Sequence, residues 1–282
     1  MLAPHGLTVE GPTSGDAAAL AASAAPRVLL GECLASLLRP TSFEAERYRV
    51  LRHAVETMRR DAHLQVVAVT SPGTADGKTT TAINLAGALA QAPGARVLLA
   101  DVDFRRPALT RQLGLEDRRP GVLDVLLQPE FTVADSVRRL AQFNLSVLPA
   151  GVGAVAPYEA LKLPRFEELL EEARQRYDYV VLDTPPFVPV PDGRLISGCV
   201  DGFLVVVAAH RTPRKELAEA LGLMDPAKVV GLVFNGDDAP ISAYYSGYAD
   251  PRRGDRSWWR YRRGFGERRA QREDSSSTWS RV

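Results

Sequence analysis

Five short aliphatic runs constrain the fold of this chain more than any other feature: VVAVT at Val66–Thr70, VLLAD at Val97–Asp101, YVVLD at Tyr179–Asp183, FLVVV at Phe203–Val207 and VVGLVF at Val229–Phe234. A run that is apolar at successive positions has no solvated face, so it is expected as a strand covered on both sides. Between the runs lie stretches of helical character, such as Thr79–Gln91 and Pro164–Tyr177. Strands of this kind alternating with helices predict a doubly wound α/β fold, a mainly parallel sheet with helices on both faces.

The rest of the chain sorts itself around that core. Residues 1–40 are rich in Ala, Gly, Pro and Ser and are expected as a poorly ordered arm with a short helix around Leu29–Leu38. From Thr41 to Arg60, Ser42 offers a helix cap and Phe43, Tyr48, Leu51 and Val55 recur at helical spacing, which predicts an amphipathic helix. The folded domain is expected to span residues 41–240. Residues 241–282 are expected as a flexible tail: from Pro251 to Asp274 nine arginines face four acids, although the whole chain balances 35 basic against 34 acidic residues. No run approaches the roughly 20 apolar residues that cross a bilayer. The two cysteines, Cys33 and Cys199, make no disulfide framework, and the four histidines have no metal-ligand spacing, so a reducing cytoplasm without a zinc site is expected.

The first run leads through SPGTADG into KTTTAINLA, a strand, a small-residue loop and a helix. In this setting backbone N–H groups and a helix N-terminus cradle phosphates. Only four of the 35 basic residues are lysine, so a lysine at position 78 is informative. Lys78 supplies a compact charge for β- and γ-phosphates, and the Thr79 hydroxyl can ligate Mg²⁺. The strict phosphate-loop pattern requires glycine at position 72, where this chain has Pro72. Thr74, Ala75, Asp76, Gly77, Lys78, Thr79 and Thr80 are the candidate nucleotide-binding residues.

A magnesium-bound nucleotide also needs hard oxygen ligands at the carboxyl edge of the sheet. Two strands end in carboxylates: VLLADVDFRRP brings Asp101, Asp103 and Arg105, and YVVLDTPP brings Asp183. A single strand-terminal aspartate is commonly a turn or cap residue. Two such strands beside a Gly-Lys-Thr loop favour ATP and Mg²⁺ binding, with Thr79, Asp101, Asp103 and Asp183 around the metal.

On TSPGTADGKTTT, LLADVDFRRP and VVLDTPP, residues 42–248 resemble the bacterial tyrosine kinases, in particular the CpsD/CapB-like cytoplasmic kinases that partner polysaccharide co-polymerases. These belong to the MinD/ParA branch of P-loop ATPases. The resemblance implies an autokinase in exopolysaccharide or capsule production. In it Lys78 neutralises phosphate charge, Asp101 accepts the phenolic proton, Asp103 and Asp183 complete the metal and water shell, and Arg105 steadies phosphate or a neighbouring subunit. A plain structural salt bridge is the alternative for Arg105. Glu46, Arg49 and Arg52 match the family's E-x-x-R-x-x-R, which joins subunits into a ring, and their spacing places them on one helix face. GLVFN ending at Asn235 resembles the last strand and its adenine-side asparagine. Tyr244, Tyr245 and Tyr248 resemble the C-terminal tyrosine cluster that is autophosphorylated. Where the family loop reads P-G-E-G-K, this chain has Thr74, Ala75 and Asp76 before Gly77.

The implied partners are further copies of the chain and a membrane-embedded co-polymerase acting in trans, which would hold the protein at the inner face of the plasma membrane. The basic tail RSWWRYRRGFGERR offers a second route to an anionic membrane; nucleic acid is not expected as a partner. Two rival readings stand beside the kinase. One is a nucleotide-switched positioning ATPase of the MinD/ParA kind; the other is a catalytically weak regulatory subunit of an export complex, suggested by the altered loop.

Overall fold

The computed structural model describes residues 34–115, 120–153 and 155–236. In chain order the elements are α1 (Ala35–Leu38), α2 (Phe43–Ala62), β1 (Val66–Thr70), α3 (Lys78–Ala90), β2 (Val97–Asp101), α4 (Leu109–Gln112), α5 (Val122–Leu127), α6 (Val133–Ser136), β3 (Arg138–Leu140), β4 (Leu145–Leu148), α7 (Pro157–Leu161), α8 (Pro164–Arg176), β5 (Tyr179–Asp183), α9 (Asp192–Ser197), β6 (Gly202–Ala208), α10 (Arg214–Leu223) and β7 (Val229–Asn235). The strands form one seven-stranded sheet in the order β3-β4-β2-β5-β1-β6-β7. All neighbours run parallel except β3, which pairs antiparallel with β4 on the edge.

The period-2 geometry of the strands splits their apolar residues between two cores. Val66, Ala68, Leu98, Val180 and Leu182 face a layer containing Phe166, Leu169 and Leu170 of α8. Val67, Val69, Leu99 and Val181 face the other, against Ile83, Leu85 and Leu89 of α3 and Val55 of α2. This explains why β1, β2 and β5 are apolar throughout. On the edge strand β7, Leu232 is 39% and Phe234 61% exposed.

The amphipathic helix begins as expected, with the Ser42 hydroxyl accepting from the Ala45 N–H at 3.2 Å. Packed structure among the described residues begins at Leu34, ahead of the expected domain boundary at Thr41, and the short helix expected around Leu29–Leu38 is seen over Ala35–Leu38. Leu34 and Ala35 are buried, the Ser36 N–H donates to Asn84 Oδ1 at 2.8 Å, and Gln91 Nε2 donates to the Ser36 carbonyl at 2.8 Å. Segment 34–38 is thus a lid over α3, which has Gly87 where a Cβ would meet Leu37 Cδ2 at 2.6 Å. Residues 29–33 and 237–282, with the tyrosine cluster and the basic tail, lie outside the described residues.

Asp201 fastens the end of the sheet away from the loop. Its carboxylate accepts from the Gln65 and Val66 N–H groups at 2.8 and 2.7 Å and from Arg174 at 2.9 and 2.6 Å, joining β1, α8 and β6. Asp201→Ala is expected to lower unfolding stability by about 2–3 kcal/mol through the loss of charge-assisted hydrogen bonds. Urea denaturation measures this, and an unchanged midpoint would contradict it.

Candidate active site

The order β2-β5-β1-β6 places the carboxyl ends of the acid-bearing strands beside the loop that leaves β1. Asp101 and Asp183 are paired in register across β2 and β5, and Val69 of β1 is opposite Asp183. The turn after β5 is stitched to the loop: Thr184 Oγ1 donates to the Val69 carbonyl at 3.0 Å, Thr70 Oγ1 to the Pro185 carbonyl at 2.9 Å, and the Phe187 N–H to the Ser71 carbonyl at 2.8 Å.

Within this rim Lys78 Nζ pairs with Asp103 Oδ2 at 2.8 Å. Burial alone would lower the Lys78 ammonium. The charges of Asp183, Asp103 and Asp101 outweigh it, so the net shift is upward and the group stays protonated. Asp101, Asp103 and Asp183 are 0%, 1% and 0% exposed, more buried acids than one ammonium can neutralise. Burial pushes the Asp101 carboxyl up to about 8, helped by the charge of Asp183 and resisted by hydrogen bonds from the Leu109 and Ala108 N–H groups. Burial likewise raises Asp183 to about 6, against the Lys78 ammonium and the nearby Thr79 hydroxyl.

The acids differ in what already holds them. Asp101 Oδ2 accepts from the Ala108 and Leu109 N–H groups, both at 3.1 Å, and Oδ1 from the Asp103 N–H at 3.2 Å, so Asp101 shapes the turn into α4. Asp103 Oδ1 accepts from the Arg106 N–H at 3.1 Å. Both carboxylate oxygens of Asp183 are buried without a hydrogen-bond partner, and the Thr79 hydroxyl acts on them without closing a bond. Two orphaned hard oxygens near a threonine hydroxyl and an ammonium fit a divalent cation. No group of three or more His, Cys, Asp or Glu side chains among the described residues could hold a bare metal ion.

Other expected residues take more varied places. Arg105 is held bidentately by the buried Asp192 of α9, at 2.7 and 2.9 Å, which is the structural ion pair left open as its alternative. Asn235 Nδ2 donates to the Asp76 carbonyl at 3.0 Å and lies against Gly77, where a Cβ would come within 1.9 Å of it. Gly77 has φ +94°, so that position needs glycine on both counts. The Asp76 side chain is turned toward Thr212 and the Gly73 N–H. Thr74 and Ala75 are exposed and Thr80 is half-buried. Beside the loop runs a groove of about 560 Å³ lined by Tyr48, Leu51, Thr80, Phe234 and Asn235 among others, apolar enough to take a flat ring. Glu46 and Arg49 form an ion pair with each other on α2, whereas Arg52 is used inside the chain, bonding Glu56 Oε1 at 2.6 Å and the Ala88 carbonyl at 3.1 Å. Asp192, Arg211 and Thr212 were not anticipated. Asp192 had a faint signal in its place shortly after the D-T-P-P turn; Arg211 and Thr212 had none.

Comparison with known proteins shows the family. A family model described as an AAA domain matches residues 64–196. The tyrosine-protein kinase YwqD of Bacillus subtilis is 32% identical over 215 residues, 76% of this chain and 90% of that protein. The chain belongs to the bacterial tyrosine-protein kinases. The kinase is also 32% identical over 215 residues to the succinoglycan biosynthesis transport protein ExoP of Rhizobium meliloti, covering 74% of this chain but only 27% of that longer protein. Among solved structures, the chimerical protein CapA2B2 superposes with a TM-score of 0.67 at 29% identity, over 72% of this kinase and 89% of that chain. No helix among the described residues is long and apolar enough to cross a membrane.

The buried acids set the pH dependence of the nucleotide-free kinase. Asp101 and Asp183 have folded values above the ordinary 3.8, so the folded state holds protons that the unfolded chain has released. Their contribution is fully present below that ordinary value and is lost as pH rises toward about 6 for Asp183 and about 8 for Asp101. The thermal midpoint is expected to fall between pH 5 and pH 8 and to fall less in Asp183→Asn. A midpoint that rises over this interval would contradict the assignment.

Proposed function

We propose that the chain is an ATP- and Mg²⁺-dependent autokinase that phosphorylates tyrosines of its own C-terminal segment, Tyr244, Tyr245 and Tyr248, within a homo-oligomeric ring. The observation that carries the nucleotide part is Asp183, whose two carboxylate oxygens are buried and unpartnered on the rim that Lys78 occupies. In this reading Lys78 gives up part of its pairing with Asp103 to the β- and γ-phosphates. The N–H groups of residues 74–80 wrap the phosphates, and the groove beside Asn235 takes the adenine. Thr79, Asp183 and Asp103 would hold Mg²⁺, which would supply charge neutralisation at the phosphates. Asp101, with its carboxyl raised by burial, is the rim's candidate to accept the phenolic proton. Positioning and charge neutralisation provide most of the rate enhancement, because phosphoryl transfer asks little covalent work of the protein.

The exposed pair Glu46 and Arg49 offers the contact to a neighbouring copy, with Arg52 fixing α2 to α3 behind it. Phosphorylating several tyrosines on adjacent tails adds up to about two negative charges at each and loosens the ring by repulsion. The ExoP relative, a transport protein of succinoglycan biosynthesis, supports a role in exopolysaccharide production and export. A membrane-embedded co-polymerase is the activating partner, and it recruits the kinase to the cytoplasmic face of the membrane.

Incubation with γ-labelled ATP, Mg²⁺ and the partner's cytoplasmic segment is expected to give alkali-stable label on the chain. Lys78→Met lowers this by roughly 10²-fold or more, and replacing Tyr244, Tyr245 and Tyr248 by Phe removes it. Release of free phosphate with no alkali-stable label would contradict the kinase reading in favour of a nucleotide switch.

A further inference from the structure

We propose that Asp76, Thr212 and Arg211 form a latch that holds the phosphate loop in its binding conformation against the backbone cost of an alanine at position 75. Ala75 has φ +63°, in the left-handed region where a Cβ is unfavourable. It is exposed, so its methyl group gains no packing in return. What fixes it lies on both sides. The Ala75 carbonyl accepts from Arg211 Nη2. The next residue, Asp76, is 4% exposed and fully engaged: Oδ2 accepts from the Gly73 N–H at 3.1 Å, and Oδ1 accepts from Thr212 Oγ1 at 2.9 Å, with Arg211 Nη2 at 3.8 Å. Thr212 Oγ1 itself accepts from the Ala208 N–H at 2.9 Å, so its one proton is committed to Asp76. The Asp76 carbonyl is pinned from β7 by Asn235 at 3.0 Å.

The division of labour follows from these partners. Strands β1, β2 and β5 supply the ammonium and carboxylates of the rim, while β6 and β7, which bring no carboxylate to it, supply the restraints on loop shape. The latch also deals with a charge problem. An unpartnered carboxylate at position 76 would repel a triphosphate in the same loop; here its oxygens are spent on Gly73, Thr212 and Arg211. The Asp76 side chain and its partners therefore act as positioning groups, through the conformation of residues 73–77 and not by touching phosphate.

The inference rests on the nucleotide-binding reading above, and its test separates the two. ATP affinity in Mg²⁺, thermal midpoint and labelling kinetics are measured for Thr212→Val and Asp76→Ala, each with Ala75 intact and with Ala75→Gly. Apparent affinity scales with the fraction of loops in the competent state, so each latch variant is expected to weaken ATP about fivefold beside Ala75 and no more than about twofold beside glycine. The loss appears in KM with little change in kcat, and Thr212→Ser, which retains the hydroxyl, recovers most of it. Equal losses in both backgrounds, or no loss in either, would overturn the latch while leaving nucleotide binding intact. An unmodified chain that binds no ATP would overturn the reading itself, and the latch with it.

Discussion

The interaction on which the rest depends is the attraction between one half-buried ammonium, Lys78, and the acids that a parallel sheet delivers to the same edge. Parallel strands point their carboxyl ends one way, so the register of β2 against β5 brings Asp101 opposite Asp183, and the loop leaving β1 brings Lys78 into an ion pair with Asp103 and within the field of the other two acids. Charges withdrawn from water are expensive unless compensated, and here the compensation is incomplete. The raised values of Asp101 and Asp183 are the consequence. A rim that retains excess negative charge and two unpartnered oxygens is destabilised without a cation, and this is the property a metal-chelated triphosphate would use.

The central strands of the fold are legible in the sequence. The limits of β1, β2 and β5 are legible because each run is apolar on both faces and ends in a polar or small residue that begins a functional turn. By contrast β3 and β4 escape notice: they are three and four residues long, and LSVL at Leu145–Leu148 has a serine in the middle of an edge-proximal strand. The early start of ordered packing is also hidden. The buried face of residues 34–38 is too short to show a period, and its meaning comes from Asn84 and Gln91, distant in sequence.

The candidate site divides along the same line. Lys78, Thr79, Asp101, Asp103 and Asp183 are readable because their chemistry is attached to strand ends. Partnerships across the fold are not. Arg105 meets Asp192 at a sequence separation of 87, and Asp76 meets Thr212 at a separation of 136. Neither pair has a local signature, so the sequence shows Asp76 as a phosphate-loop residue without showing that its side chain meets Thr212 in the turn after β6. Glycine loss at position 75 was visible in the sequence; the contacts that accommodate it required the folded chain.

The most direct measurement of the central claim is isothermal calorimetry of ATP binding with Mg²⁺ and with the metal chelated, on the unmodified chain and on Asp183→Asn. If the acids of the rim act through a cation, chelation weakens ATP by about tenfold or more in the unmodified chain, and Asp183→Asn removes most of that metal dependence. Equal ATP affinity with and without Mg²⁺ in the unmodified chain would contradict the account.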